Sequence, residues 1–200
     1  MAAIRRHAIA LADGTEIPAD TVLIGIGAQP NTELARVAGL DCAGPDDGGG
    51  ILVDDAARTS DPAIHAIGDC TSRPVPRYGR RLRLESVPSA LEQARQAAAA
   101  ITGRPAPAPE IPWFWSDQFS VRLQIAGLLL DVAETILRGD PAGEKFAAFH
   151  LAADGTLQAV EAVNAAEEFM AGRAMIGRRT VPPRDRLPDL AVGMNVIAAG

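Results

Sequence analysis

Cysteine is scarce in this 200-residue chain, which has only Cys42 and Cys70, 28 positions apart. A redox-active dithiol or a zinc site of the usual C-x-x-C spacing is therefore not expected, and no metal ligands are predicted. Aromatic residues make up only 4% of the chain, so alanine and aliphatic side chains must form most of its core. The three histidines are scattered through apolar, strand-like runs, which favours structural roles over catalysis.

An excess of positive charge and long apolar runs are missing as well. The net charge is −6, which gives no reason to expect nucleic acid or an anionic membrane as a partner. No apolar run is long enough to span a bilayer, and the first residues lack the apolar core of a signal peptide. A cytoplasmic location is therefore expected.

The first hundred residues alternate short strands and helices. Asp13-Gly14 is a hairpin turn signal. Residues 21–26 are apolar without alternation, which is typical of a strand covered on both faces. The pattern predicts strands at 21–26, 51–53 and 63–67, helices at 32–38 (with Asn31 as N-cap) and 88–102, and an arginine-rich loop at 73–83.

The proline-rich stretch at residues 105–109 is the clearest domain boundary. Beyond it, residues 119–125 alternate apolar and polar side chains, as in a half-buried antiparallel strand. Further strands are predicted at 132–137, 145–151 and 157–163, and Asn164 with Glu167 predicts a capped helix to Gly177. The predicted fold is α/β: a partial doubly wound dinucleotide-binding region, then a small α+β domain with an antiparallel sheet.

The most informative segment is TSDPAIHAIGD at residues 59–69. It is predicted to be a buried strand that ends in Gly68 and then Asp69. Glycine lets a ligand approach the backbone closely, and a carboxylate at the carboxyl edge of such a sheet can accept hydrogen bonds from sugar-type hydroxyls. A bare Gly-Asp pair would indicate an ordinary turn, but the whole string is more specific.

Three further segments carry weaker signals. Gly25 and Gly27 form a lone G-x-G without the rest of a dinucleotide fingerprint. Residues 84–90 start a helix whose free N–H groups could face an electron-rich acceptor, or could be a simple helix start. Residues 111–118 contain both tryptophans, Trp113 and Trp115, in an aromatic-poor chain; such clusters are usually core or interface anchors.

Taken in order, these segments resemble the FAD-dependent NADH:ferredoxin and NADH:rubredoxin reductases of bacterial oxygenase systems. The resemblance runs from about Ile9 to Asp189. It implies a remnant of the NAD-binding domain at 1–29, the C-terminal part of the FAD-binding domain at 30–110, and a reductase C-terminal domain at 111–200.

The resemblance also implies a set of cofactor-binding residues but no catalytic side chain. Asp69 would bind the ribityl chain of FAD, Glu85 would lie near the nicotinamide of NAD, and Trp115 would lie beside the isoalloxazine. The backbone near Val87 would serve the flavin, and the glycines of the G-x-G would line the NADH channel. The implied binding residues are Gly25, Gly27, Gly68, Asp69, Glu85, Ser86, Val87 and Trp115.

Two glycine-rich fingerprints of this family, for the ADP half of FAD and for NAD, are not found in the sequence. We therefore expect the chain by itself to be inactive. In the complete relatives, electrons pass from NADH through FAD to a [2Fe–2S] ferredoxin or a rubredoxin. Arg95 and the loop carrying Arg73, Arg77, Arg80, Arg81 and Arg83 are candidate contacts for that carrier, although a solvated charge run is the commoner meaning of such a loop.

Two alternatives to part of such a reductase stay open. One is a non-catalytic docking or dimerisation module derived from such a reductase, and a homodimer is compatible with either interpretation. The other is a different flavoprotein, such as a disulfide reductase or a nitrite reductase subunit. The aromatic segment at 111–118 and the absence of paired cysteines argue against the latter.

Overall fold

The computed structural model describes residues 2–199 as two α/β parts joined by the proline-rich stretch. The helices are α1 (Glu33–Val37), α2 (Val87–Thr102), α3 (Ala166–Arg178) and α4 (Met194–Ala199). The strands of the first part are β1 (Ala3–Arg5), β2 (Ala8–Ala10), β3 (Glu16–Pro18), β4 (Ile51–Leu52), β5 (Thr71–Val75) and β6 (Arg80–Leu82). Those of the second part are β7 (Trp113–Gln118), β8 (Val121–Gly127), β9 (Glu134–Gly139), β10 (Phe146–Leu151) and β11 (Leu157–Val163).

The second part is a five-stranded antiparallel sheet covered by a helix. Its strand order is β7-β8-β11-β10-β9, which confirms the predicted α+β domain. Phe149, Leu151 and Val160 are fully buried beneath α3. Helix α3 approaches the sheet closely at Gly172, where an added Cβ would lie 2.6 Å from Cγ1 of Val160.

A buried arginine ties the C-terminal tail to this sheet. Arg138 on β9 donates from Nε to Glu168 Oε1 on α3 at 3.2 Å. Its other nitrogens donate to the backbone carbonyls of Leu187, Asp189 and Val192, at 3.1, 2.6 and 2.9 Å. The tail therefore forms part of the core, where Leu187 and Ile197 are fully buried.

The first part contains two small sheets. Strands β1, β2 and β3 are antiparallel, and the predicted turn at Asp13-Gly14 joins β2 to β3. Strand β4 pairs in parallel with β5, and β5 pairs antiparallel with β6. The predicted loop at 73–83 is therefore wrong: most of it is a hairpin with a short 3₁₀ turn at Pro76–Tyr78.

Two predicted strands do not form. Residues 21–26 have no regular structure, and Leu23 and Ile26 are 95% and 91% exposed. Residues 63–67 make only an isolated bridge, between Arg58 and His65. The reason is the same in both cases, since an apolar parallel strand needs neighbouring strands to satisfy its backbone, and the described residues provide none.

Two predicted caps are wrong as well. Helix α1 begins after Thr32 rather than Asn31, without a side-chain cap. Asn164 does not cap α3; its side chain accepts from the Arg122 amide at 2.8 Å and donates to the Glu144 carbonyl at 2.9 Å. Asn164 therefore holds the start of β8 and the loop before β10 in place.

Candidate functional site

Helix α2 begins beside a cavity that is lined by two of the predicted site residues, Glu85 and Ser86. Ser86 is its N-cap, and the Ser86 hydroxyl accepts from the Ser89 amide at 3.3 Å. Val87 and Pro88 follow as the first helical residues, and the Val87 side chain is 59% exposed. The remaining free N–H groups of the first turn give this end of the helix a partial positive charge.

The cavity lies between the two parts of the chain and has a volume of about 260 Å³. Its polar groups come from Glu85 and Ser86, and its other walls are apolar. The lining residues are Leu84, Glu85, Ser86, Pro112, Trp113, Phe114, Ile125, Gly127, Leu128 and Leu129. At this volume the cavity is below the usual range for a drug-sized ligand.

The Gly68–Asp69 loop is attached to the same helix. Gly68 has a φ of +85°, and an added Cβ would lie 4.0 Å from the Ala90 Cβ on the first turns of α2. The Thr71 hydroxyl contacts the Gly68 carbonyl at 2.8 Å and Gln93 Oε1 of α2 at 2.6 Å. The Asp69 side chain is exposed, so its carboxylate is accessible to a ligand.

Arg83 connects this loop to two others. Its Nε donates to the Gly48 carbonyl at 2.8 Å, and Nη1 donates to the Glu85 carboxylate. Longer contacts of 3.5 Å reach the carbonyls of Asp69 and Ala28. Ala28 follows Gly27, which has a φ of +91°. An added Cβ would meet no atom within 4 Å at either Gly25 or Gly27.

The two tryptophans are stacked, with ring centroids 5.3 Å apart. Trp113 lines the cavity, packs 6.0 Å from Phe169 and lies under the Arg173 guanidinium, 5.3 Å from its centroid. Trp115, two residues further along β7, is not among the lining residues. Phe114, which the sequence reasoning passed over, faces the cavity instead.

The 3₁₀ turn at Pro76–Tyr78 fastens the two parts of the chain beside the cavity. Arg77 donates to the carbonyls of Ile176 and Gly177 at the end of α3, at 2.8 and 3.1 Å. The Tyr78 hydroxyl accepts from the Leu128 amide at 3.0 Å. Burial raises the pKa of Tyr78, while the Leu128 amide and the Arg77 charge act in the opposite direction. Tyr78 therefore holds a wall of the cavity in place.

The other arginines of this hairpin also have partners within the chain. Arg73 forms a buried ion pair with Glu92, with 2.5 Å between Nη2 and Oε2. Arg81 donates to the carbonyls of Val53 and Ser72, at 2.5 and 2.7 Å. Arg80 pairs with Asp131 at the surface, at 3.1 Å. Residue spacing alone indicated a charged surface loop, because Glu92, Val53 and Asp131 are 19 or more positions away from the arginines that they contact.

A larger cavity, of about 610 Å³, runs along the proline-rich stretch. Arg73 and Glu92 lie in its wall, and they are already paired with each other. None of the predicted cofactor-binding residues lines it. The smaller cavity is therefore the better candidate site, because predicted cofactor-binding residues line it and do not line the larger one.

Among residues 2–199, no helix combines the length and the apolar character required to cross a bilayer. In the same part of the chain, no three His, Cys, Asp or Glu side chains are grouped as a metal site would require. Cys42 and Cys70 are both free thiols.

Two protein families match successive parts of the chain. Residues 2–94 match the family described as pyridine nucleotide-disulphide oxidoreductase, and residues 113–198 match the family described as reductase C-terminal. Together the two matches cover both sides of the proline-rich stretch.

Curated relatives and solved structures agree with these matches. The chain is 51% identical over 191 residues to the probable ferredoxin reductase CtmF of Castellaniella defragrans, covering 95% of this chain and 45% of the relative. It is 41% identical over 192 residues to the putidaredoxin reductase CamA of Pseudomonas putida, covering 96% and 44%. The chain thus spans less than half the length of the curated relatives that it matches.

The structure of a covalent putidaredoxin reductase–putidaredoxin complex is similar, with a TM-score of 0.87 and 39% identity, over 96% of this chain and 45% of that chain. The ferredoxin reductase for the CYP199A2 system of Rhodopseudomonas palustris has a TM-score of 0.86 at 39% identity, over 96% and 46%.

Proposed function

The chain belongs to the pyridine nucleotide-disulphide oxidoreductases that carry a reductase C-terminal domain, and we propose that it forms part of a flavoprotein reductase. The complete reductase passes electrons from NADH through FAD to a [2Fe–2S] ferredoxin or a rubredoxin that serves an oxygenase. The observation that carries this proposal is the meeting of three segments at one place. Residues at the start of α2 and on the aromatic strand β7 line the cavity at Glu85, and the Gly68–Asp69 loop packs against the first turns of the same helix.

The residues present fit one end of FAD. The start of α2 offers unpaired backbone N–H groups next to apolar side chains, which suits the electron-rich edge of an isoalloxazine. The exposed carboxylate of Asp69 suits a ribityl hydroxyl, and Gly68 leaves the backbone open beside it. Bound FAD would supply the conversion of a two-electron donor into single electrons, while the protein supplies binding and orientation.

The remaining site residues take roles that follow from their positions. Ser86 and Val87 present the backbone of the first turn to the flavin. Glu85, on the cavity wall, orients the nicotinamide, and Gly25 and Gly27 line the route by which NADH enters. Trp115, which the family resemblance places beside the isoalloxazine, does not line the cavity and would act through Trp113, on which it stacks.

The electron carrier is expected to dock on exposed positive charge. Arg95 pairs with Glu110 and keeps 58% of its side chain exposed, and Arg80 keeps 48%. Arg73 is almost fully buried, so it does not suit a docking role. The relatives include a probable ferredoxin reductase and a putidaredoxin reductase, which supports a small iron–sulfur protein as the carrier. The cytoplasm is the proposed location, because NADH is held there.

The proposal is tested with a fusion protein. In it, the N-terminal part of CtmF that lies outside the match is joined to the N-terminus of this chain. We expect the fusion to retain FAD and the 200-residue chain alone to purify without it, since most dinucleotide contacts lie outside the chain. In the fusion, Asp69→Ala should weaken FAD binding by about 10- to 150-fold, the loss of a hydrogen bond to a charged group. Flavin absorbance after purification gives the FAD content.

The matched control is Asp46→Ala, which removes another exposed carboxylate from the same part of the chain. It should leave FAD content unchanged. A yellow 200-residue chain with stoichiometric FAD, or a fusion that binds none, would contradict the proposed function. A docking or dimerisation module would give the second result.

A further inference from the structure

Arg83 lies at the centre of the proposed site without lining its cavity. Its side chain is 15% exposed and lies in the connection between β6 and α2. The guanidinium contacts one carboxylate and three backbone carbonyls, which come from residues 28, 48, 69 and 85. Residues 28, 48 and 69 are far from Arg83 in the sequence, so its guanidinium joins segments that only the folded chain brings together.

Each contacted segment contributes to the proposed cofactor site. The Ala28 carbonyl follows the Gly25–Gly27 segment, and the Asp69 carbonyl belongs to the loop with the ribityl-binding carboxylate. Glu85 is the acidic group of the cavity. Gly48 precedes β4, the strand that pairs with β5 directly after the Gly68–Asp69 loop. A shift of Arg83 would therefore change the position of several binding groups at once.

The chemistry of arginine suits this arrangement. A guanidinium is planar and presents five N–H donors in fixed directions, so one side chain can serve several acceptors with defined geometry. Lysine has the same charge on a flexible stem, and its three donors radiate from one nitrogen, so it cannot reproduce the fork. The substitution Arg83→Lys thus keeps the positive charge and removes the donor geometry of the guanidinium.

We propose that Arg83 is the positioning residue of the FAD- and NADH-binding site: it orients the Glu85 carboxylate and fixes the Gly27–Ala28 segment relative to the Gly68–Asp69 loop. This assignment rests on the proposed function for the identity of the ligands. Arg83 acts through the groups that it holds and does not itself touch the cofactor. Its long contacts to Ala28 and Asp69 leave room for these segments to close when a ligand binds.

The first test uses the 200-residue chain and needs no cofactor. The Gly49 amide donates to Gly44 and the Thr71 amide to Gly68, so both report on loops whose carbonyls Arg83 holds. In Arg83→Lys, hydrogen exchange at these two amides should accelerate about ten-fold or more, because bonds to a charged donor are lost. Exchange in β11 should be unchanged, which shows that the chain is folded.

The control is Arg122→Lys, the same change at an exposed ion pair with Asp117, on the far part of the chain. In the fusion with the CtmF N-terminal part, Arg83→Lys should raise the KM for NADH and slow flavin reduction per bound FAD. Arg122→Lys should change neither quantity. A role that depended on charge alone would be preserved by lysine, so a wild-type KM and rate in Arg83→Lys would overturn the proposal.

The assignment of Arg83 and the proposed function can be contradicted by different results. Unchanged exchange at Gly49 and Thr71 in Arg83→Lys would overturn the assignment of Arg83 itself, whatever the ligand is. A wild-type fusion without FAD would overturn the proposed function, and the cofactor part of this assignment with it.

Discussion

Tyr78 is the single tyrosine of the chain, and its hydroxyl joins the two parts by accepting from the Leu128 amide. Burial raises the pKa of Tyr78 above the value of about 10 expected in the unfolded chain. A raised folded-state pKa adds stability that is fully present below pH ~10 and is lost as pH rises through the folded pKa.

We expect Tyr78→Phe to lower the free energy of unfolding by about 1–3 kcal/mol at neutral pH, because the Leu128 amide is left without its acceptor. Above pH ~10 the difference between wild type and Tyr78→Phe should shrink, since only wild type loses the tyrosine contribution. Urea unfolding between neutral pH and pH ~11 measures both quantities. Parallel curves over the whole range would show that Tyr78 does not titrate in this way.

Trp115 is a proposed site residue that stacks on Trp113 and does not itself line the cavity. In the fusion, Trp115→Ala should slow flavin reduction by NADH while FAD content stays near wild type. Loss of the stacked indole lets Trp113 shift, and reactions of this kind are sensitive to small misplacements.

Phe119 provides the control for Trp115, because it is a fully exposed aromatic at the β7–β8 turn. Phe119→Ala should leave the reduction rate unchanged. If Trp115→Ala lowers only the melting temperature, Trp115 is a packing residue and does not belong to the site.

At the scale of elements, helix α3 packs on β11 through a glycine. A Cβ at Gly172 would lie 2.6 Å from Val160 Cγ1, whereas a Cβ at Gly177 on the same helix would meet nothing within 4 Å. Gly172→Ala should therefore destabilise the chain by about 1–3 kcal/mol through overpacking. Gly177→Ala should stabilise it by about 0.5–1 kcal/mol, the difference in helix propensity.

Chemical denaturation of the two variants measures both free energies. Since propensity favours alanine equally at the two positions, the difference between them isolates the contact with Val160. Equal effects would mean that α3 can move away from the sheet at no cost.

The sequence predicted the second part of the chain better than the first, for a physical reason. Strand β11 was placed correctly, because its partner β10 lies directly before it in the sequence. Residues 21–26 and 63–67 carry a clear strand pattern but lack partners among residues 2–199. The apolar pattern predicts that a segment is buried, but burial depends on neighbouring strands and helices that the segment's own sequence does not contain.

The candidate site shows the same division. Glu85 and Ser86, which line the cavity, belong to one short continuous motif that the sequence makes visible. Arg83 could be read only as part of a charged loop, because its four acceptors lie in segments up to 55 positions away. Phe114 was missed because strand alternation does not say which face of β7 meets the cavity.

At the scale of the whole molecule, the apolar segment at residues 21–27 is exposed in a way that folded chains seldom tolerate. Leu23, Ile24 and Ile26 are 95%, 58% and 91% exposed. We expect amides of 21–27 to exchange rapidly in the 200-residue chain and to become protected in the fusion, where a parallel sheet can form. Hydrogen exchange followed by mass spectrometry measures this, with β11 as a segment protected in both.

A fusion that retains FAD while residues 21–27 still exchange freely would contradict this expectation. It would mean that the segment is a surface loop and that its apolar side chains serve another purpose.

The cavity at Glu85 takes its walls from both parts of the chain, and Arg77 and Tyr78 fasten those parts together. A molecule bound there contacts both walls, so thermodynamic linkage couples its binding to the closure of the interface. The coupling is reciprocal. A bound ligand favours the closed Tyr78–Leu128 contact by a certain factor, and opening that contact weakens ligand binding by the same factor. Slower exchange of the Leu128 amide would then report occupancy of the cavity without any signal from the ligand.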